Sequence, residues 1–135
     1  MYIGGFTRMT KKNPLTIIQY PKCSTCKAAV KSLQNKGNDV LSRDIVEQTP
    51  TAGELKEIVA ASGLELKKFF NTSGDVYREL GLKDKLAAMS EDEKYALLAS
   101  NGMLIKRPIV TDGKKVTVGY KEEQYEQVWN NKQKG

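Results

Sequence analysis

Two apolar runs with a helix-length segment between them constrain this chain more than any other feature. Leu15-Thr16-Ile17-Ile18-Gln19-Tyr20 is apolar and β-branched enough for a strand buried on both faces. Pro21 breaks that run, after which Cys26, Val30 and Leu33 recur at helical spacing until Gly37 supplies a stop. Val40 to Val46 reads as a second short strand. A crossover helix between them leaves the two strands parallel, so the chain opens as a βαβ unit.

From Thr49 the pattern turns helical. Thr51 with Glu54 forms a capping box ahead of Leu55, Ile58 and Val59, and Gly63 ends that run. Leu66, Phe69 and Phe70 make a further apolar turn, Val76 to Leu80 another, and Ser90 with Glu93 caps a helix carrying Tyr95, Leu97 and Leu98. After Met103-Leu104-Ile105, the runs Arg107-Pro108-Ile109-Val110-Thr111 and Lys114 to Gly119 read as two strands around an Asp112-Gly113 two-residue hairpin signal. Tyr125, Val128 and Trp129 then repeat at helical spacing and should pack on the sheet. The order is βαβ, a helical insert at about 50–102, then ββα.

With 135 residues, 39% of them hydrophobic, the chain holds one domain that needs no disulfide staples. Residues 1–13 read as a flexible leader or appended segment, 14–130 as the domain and 131–135 as a tail. The 22 basic and 16 acidic residues give a net charge of +6, but five of those charges lie in residues 1–13 and 130–135. A body so nearly balanced argues against a direct nucleic-acid partner, and no apolar run is long enough for a membrane span. A monomeric cytoplasmic protein is the expectation. The absence of histidine removes Ser-His and Cys-His pairs and His-containing zinc sites.

What chemistry remains centres on Cys23-Ser24-Thr25-Cys26. A cysteine at a helix start lies near unpaired backbone N–H groups and the positive end of the helix dipole, which favours thiolate over thiol. Lys22 and Lys27 add positive charge in the sequence around it, so Cys23 should titrate below an ordinary thiol and Cys26, one turn further in, should be more buried and more ordinary. Cys23 then attacks and Cys26 resolves, because a thiol already held beside a mixed disulfide makes the second step intramolecular. Half of a zinc site, two reduced packing cysteines and a structural disulfide are the competing readings. Arg107-Pro108 is the second feature. X-Pro bonds accept the cis form at small cost, and an arginine there could bind an oxyanion or steady the Cys23 thiolate.

Together, Tyr20-Pro21-Lys22-Cys23-Ser24-Thr25-Cys26 after a first strand, the helical insert, Arg107-Pro108-Ile109, the hairpin and Val118-Gly119-Tyr120 resemble the arsenate reductase and Spx-like family of thioredoxin-fold proteins. The resemblance spans nearly all of Pro14 to Trp129. It implies an α/β fold with a glutaredoxin-like core and a mixed sheet, the insert acting as a lid, Cys23 as nucleophile and Arg107 as the arginine ahead of a cis-proline. It further implies an external thiol reductant, of glutathione or thioredoxin type, and no tightly bound cofactor or metal. Arsenate reductases of this family use three arginines around the oxyanion; the other two positions fall at or near Asn71 and Tyr120, which implies weakened arsenate binding. The Spx-type regulators share the CxxC, Arg107 and a glycine matching Gly63. Through them the resemblance implies an alternative, a redox-responsive regulator that grips the RNA polymerase α subunit with the insert around Gly63 to Asn71.

Overall fold

The computed structural model describes residues 14–130; the expected leader (1–13) and tail (131–135) lie outside the described residues. Strand β1, Leu15–Gln19, is the centre of the molecule. It pairs in parallel with β2, Val40–Asp44, across helix α1, Ser24–Asn35, which is the βαβ unit expected from the apolar pattern. On its other edge β1 pairs antiparallel with β3, Ile109–Thr111, and β3 with β4, Val116–Val118. The order β2-β1-β3-β4 makes a mixed four-stranded sheet.

Alternation along β1 divides the interior in two. Leu15 and Ile17 face α1 and the final helix, α6 (Glu122–Trp129), joining Ala29, Leu33, Val110, Tyr125 and Trp129. Ile18 belongs to the opposite core, built with the insert from Ile45, Leu55, Phe69, Leu98, Ile105 and Ile109 among others. One strand therefore supports both layers, and its six-residue apolar run is the sequence trace of that position.

The insert is assembled from short helices: α2 (Ala52–Ser62), α3 (Asp75–Glu79), α4 (Leu82–Lys85) and α5 (Glu91–Ser100), with 3₁₀ turns at Leu66–Phe69, Leu86–Ala88 and Gly102–Leu104. Both capping boxes read from the sequence form, Thr51 with Glu54 and Ser90 with Glu93. Gly63 ends α2 at φ +72°, a conformation that only glycine adopts freely. Gly102 answers a different need. A Cβ there would lie 2.0 Å from the Ile45 carbonyl oxygen, so the return of the insert onto the end of β2 has room for no side chain.

Two local expectations are corrected. The second apolar run ends as strand at Asp44 rather than Val46, because Ile45 turns into the insert core, while Leu41 on the edge strand and Val46 in the turn after it stay exposed. The hairpin is not a two-residue turn: Asp112–Lys115 form a four-residue loop, in which one Asp112 carboxylate oxygen accepts from the backbone N–H groups of Lys114 and Lys115 at 2.9 and 2.8 Å. The aspartate side chain sets this turn.

Candidate functional site

The segment between β1 and α1 does its work through backbone groups. Tyr20 closes the first turn by accepting the Cys23 N–H at 2.9 Å, which leaves Cys23 as the N-cap of α1 in extended conformation. Its Sγ takes the place that a serine or aspartate oxygen holds at other helix starts, accepting the Cys26 N–H at 3.4 Å. Ser24 and Thr25 form the exposed first turn behind it. Cys23 is half-buried, Cys26 is fully buried beneath it, and both are reduced.

The two sulfurs differ sharply in acidity. Partial burial works against a charge on Cys23, yet hydrogen bonds from the Cys26 thiol and the Cys26 and Thr25 backbone, together with the Arg107 guanidinium, outweigh it and hold the thiol below its ordinary range. Burial first, with the neighbouring Cys23 sulfur adding to it and a contact with the Tyr20 backbone opposing it, pushes the Cys26 thiol up to about 12. The expectation that Cys26 would be ordinary is thus corrected. A buried sulfur with an incipient anion beside it keeps its proton.

Arg107 approaches from the far end of the insert. Its Cζ lies 5.3 Å from the centre of the Tyr20 ring, and its Nη1 reaches the carbonyls of Met103 and Ile105 at 3.4 and 3.5 Å. The following Arg107–Pro108 bond is cis, and the buried Pro108 gives its carbonyl to the Gly119 N–H at 2.9 Å. Fold and sequence together therefore bring Cys23, Cys26 and Arg107 into one place. Lys22 and Lys27 are exposed, and the charge that draws the Cys23 proton off is that of Arg107. Local sequence charge pointed to the lysines; a residue more than eighty positions away supplies the effect.

Tyr20 is the residue to which the sequence assigned no role, placing it only at the end of a strand and at the head of the cysteine motif. Its carbonyl holds the Cys23 turn, its backbone touches Cys26, and its ring carries Arg107. The available signal was an aromatic residue at the mouth of a Pro-x-Cys turn.

The remaining residues lie elsewhere or serve other contacts. Asn71 is half-buried, and its side-chain amide donates to the same Met103 carbonyl that Arg107 reaches, at 3.4 Å. Gly63 is exposed, with open space around the position of a Cβ. The Tyr120 hydroxyl donates to Glu122 at 2.6 Å, and its ring packs edge-on against Tyr125. Among the described residues no group of three or more metal-ligating side chains comes together, and no helix is long and apolar enough to cross a membrane.

Comparison with known proteins gives these contacts a context. The ArsC family model matches residues 18–128. The Bacillus subtilis protein YusI is 59% identical over 115 residues, covering 85% of this chain and 98% of its own length. The global transcriptional regulator Spx of Staphylococcus saprophyticus is 26% identical over 110 residues, 82% of each chain. Among solved structures, an ArsC family related protein from Bacteroides fragilis superposes with a TM-score of 0.80 at 50% identity, covering 84% of this chain and 95% of that one. Arsenate reductase from Vibrio cholerae gives 0.79 at 28% identity, over 87% and 99%.

Proposed function

The chain belongs to the ArsC family, and from that premise we propose that it is a thiol-dependent oxidoreductase in which Cys23 is the nucleophile and Cys26 the resolving thiol. One observation carries the reading: the Cys23 sulfur caps α1 beside Arg107 while Cys26, buried under it, retains its proton.

The cycle follows from that difference. The Cys23 thiolate attacks one sulfur of a disulfide substrate, forming a mixed disulfide and releasing the other half as a thiolate. Once Cys23 is covalently bound its negative charge is gone, so one of the influences that raises Cys26 disappears with it. Cys26 loses its proton and attacks Cys23 Sγ, the remaining substrate half departs as a thiolate, and a Cys23–Cys26 disulfide is left. The proton that Cys26 gives up neutralises a departing thiolate, and an external thiol reductant of glutathione or thioredoxin type then returns two electrons and one proton, restoring the Cys23 thiolate and the Cys26 thiol. No step calls for a metal or a bound cofactor.

Arsenate is a poor fit to this site. Arg107 supplies one guanidinium, whereas Asn71 offers a neutral amide already bonded to a carbonyl and Tyr120 is engaged with Glu122. Each missing charge-assisted hydrogen bond removes roughly 1.5–3 kcal/mol of anion binding. The test is turnover: the reduced protein should reduce a small disulfide with a thiol donor, and Cys23→Ser should abolish this while Cys26→Ser accumulates the mixed disulfide. Turnover retained in Cys23→Ser, or no mixed disulfide in Cys26→Ser, would refute it.

A second reading draws on the similarity to the global transcriptional regulator Spx: the chain would then be a redox-responsive regulator that grips the RNA polymerase α subunit through its insert. Exposed Gly63, with exposed Leu64 next to it, is the surface this would use. Binding of the polymerase α C-terminal domain that responds to the redox state of Cys23 and Cys26 would favour it; no binding in either state would remove it.

A further inference from the structure

The insert and Lys106 line an open pocket of about 520 Å³ that the thiol chemistry does not use. Five lysines line it: Lys67, Lys68, Lys83, Lys94 and Lys106. Between Leu64 and Lys106 the chain carries seven basic and seven acidic residues, yet five of the basic and none of the acidic ones line this space. A neutral segment has sorted its charges by position. Lys67 reaches Glu65 at 3.5 Å on the exposed surface; the other four make no ion pair among the described residues. Ammonium groups of one sign around one pocket, with no carboxylate among them, favour an anion there.

The rest of the lining is not that of a plain anion hole. Tyr77 stands half-buried with its ring edge-on to Phe70, centroids 6.4 Å apart, and Leu86 and Ala87 continue the apolar floor. Thr72 adds a hydroxyl. The volume lies inside the range of roughly 300–1,000 Å³ typical of small-ligand pockets. A ligand that satisfies both parts has several negative charges at one end and a flat or apolar group at the other.

From this geometry we propose that the insert holds a binding site for a nucleoside polyphosphate, its phosphates among the lysines and its base on the floor by Tyr77 and Phe70. Lysine suits the first part, acting as a point charge towards phosphate rather than as a planar fork. Four separate segments of the insert and Lys106, the residue before Arg107, would close around one ligand. The proposal does not depend on the oxidoreductase reading, since no cysteine takes part.

Isothermal titration of the full chain with ATP, inorganic triphosphate and adenosine tests it. ATP should bind at least tenfold more tightly than triphosphate or adenosine. The double variant Lys68→Glu/Lys83→Glu, both exposed positions, should weaken ATP at least tenfold, while Lys114→Glu in the β3–β4 loop should change it less than twofold. Thermal melts of each variant show that the fold is intact, and disulfide reduction by the double variant should match the parent. No ATP binding at millimolar concentration, triphosphate binding as tight as ATP, or ATP binding undiminished in the double variant would each overturn the proposal.

Discussion

At the scale of single residues the account rests on four: Tyr20, Cys23, Cys26 and Arg107. The thiolate of Cys23 is held by two kinds of influence, hydrogen bonds at the start of α1 and the charge of Arg107. Removing either should raise its titration midpoint. Arg107→Ala and Cys26→Ala are both expected to shift the alkylation profile of Cys23 upward; a profile unmoved by Arg107→Ala would show that the guanidinium plays no electrostatic part. Tyr20→Leu should act in the same direction as Arg107→Ala but more weakly, since it removes only the ring on which the guanidinium rests. The two cysteines and Arg107 were legible in the sequence because their spacing and their proline neighbours mark them. Tyr20 was not, because its role depends on what the chain brings back to it after the whole insert has been traversed.

At the scale of elements, local sequence determines most of what is seen. The two capping boxes and the αL glycine closing α2 are signals confined to a few residues, and they form as read. Thr51→Ala should lower stability by about 1 kcal/mol by leaving a helix N–H unpaired. Glu54 is held at about 2 first by its hydrogen bonds with Arg43, then by the Thr51 backbone. Its folded value lies below the unfolded one, so its contribution is present above roughly pH 4.5 and is lost as pH falls towards 2. Across that window the parent should lose stability more steeply than Glu54→Gln, as followed by urea melts; parallel curves would contradict it. Elements failed to be legible where a distant surface decides them. Ile45 ends β2 because the insert core claims it, and Gly102 is required by the Ile45 carbonyl fifty-seven positions earlier. Gly102→Ala should cost about 1–3 kcal/mol or more, since backbone must move to admit one methyl group.

At the scale of the molecule, two cores meet on one strand, and α1 is clamped at its far end. Lys36, only 8% exposed, lies between Glu122 and Glu126 of α6, with Ser32 donating to Glu122 and accepting from the same ammonium. This buried charge was invisible to hydropathy, which places lysine at the surface. Lys36→Met leaves two half-exposed carboxylates that water can solvate, whereas Glu122→Ala/Glu126→Ala strands an ammonium in the interior. The double variant should therefore melt at the lower temperature of the two; the reverse order would show that Lys36 finds water. Because α1 carries Cys23 at its other end, this clamp and the Tyr20 turn fix the helix that the sulfur caps.

The central claim is that the fold separates the acidities of two cysteines three residues apart. The pH dependence of alkylation of the reduced chain, with each sulfur followed by mass spectrometry, tests it most directly. The account predicts that Cys23 is modified with a midpoint below that of an ordinary thiol while Cys26 remains protected through neutral pH. A midpoint for Cys23 at or above the ordinary value, or modification of Cys26 ahead of it, would contradict the account.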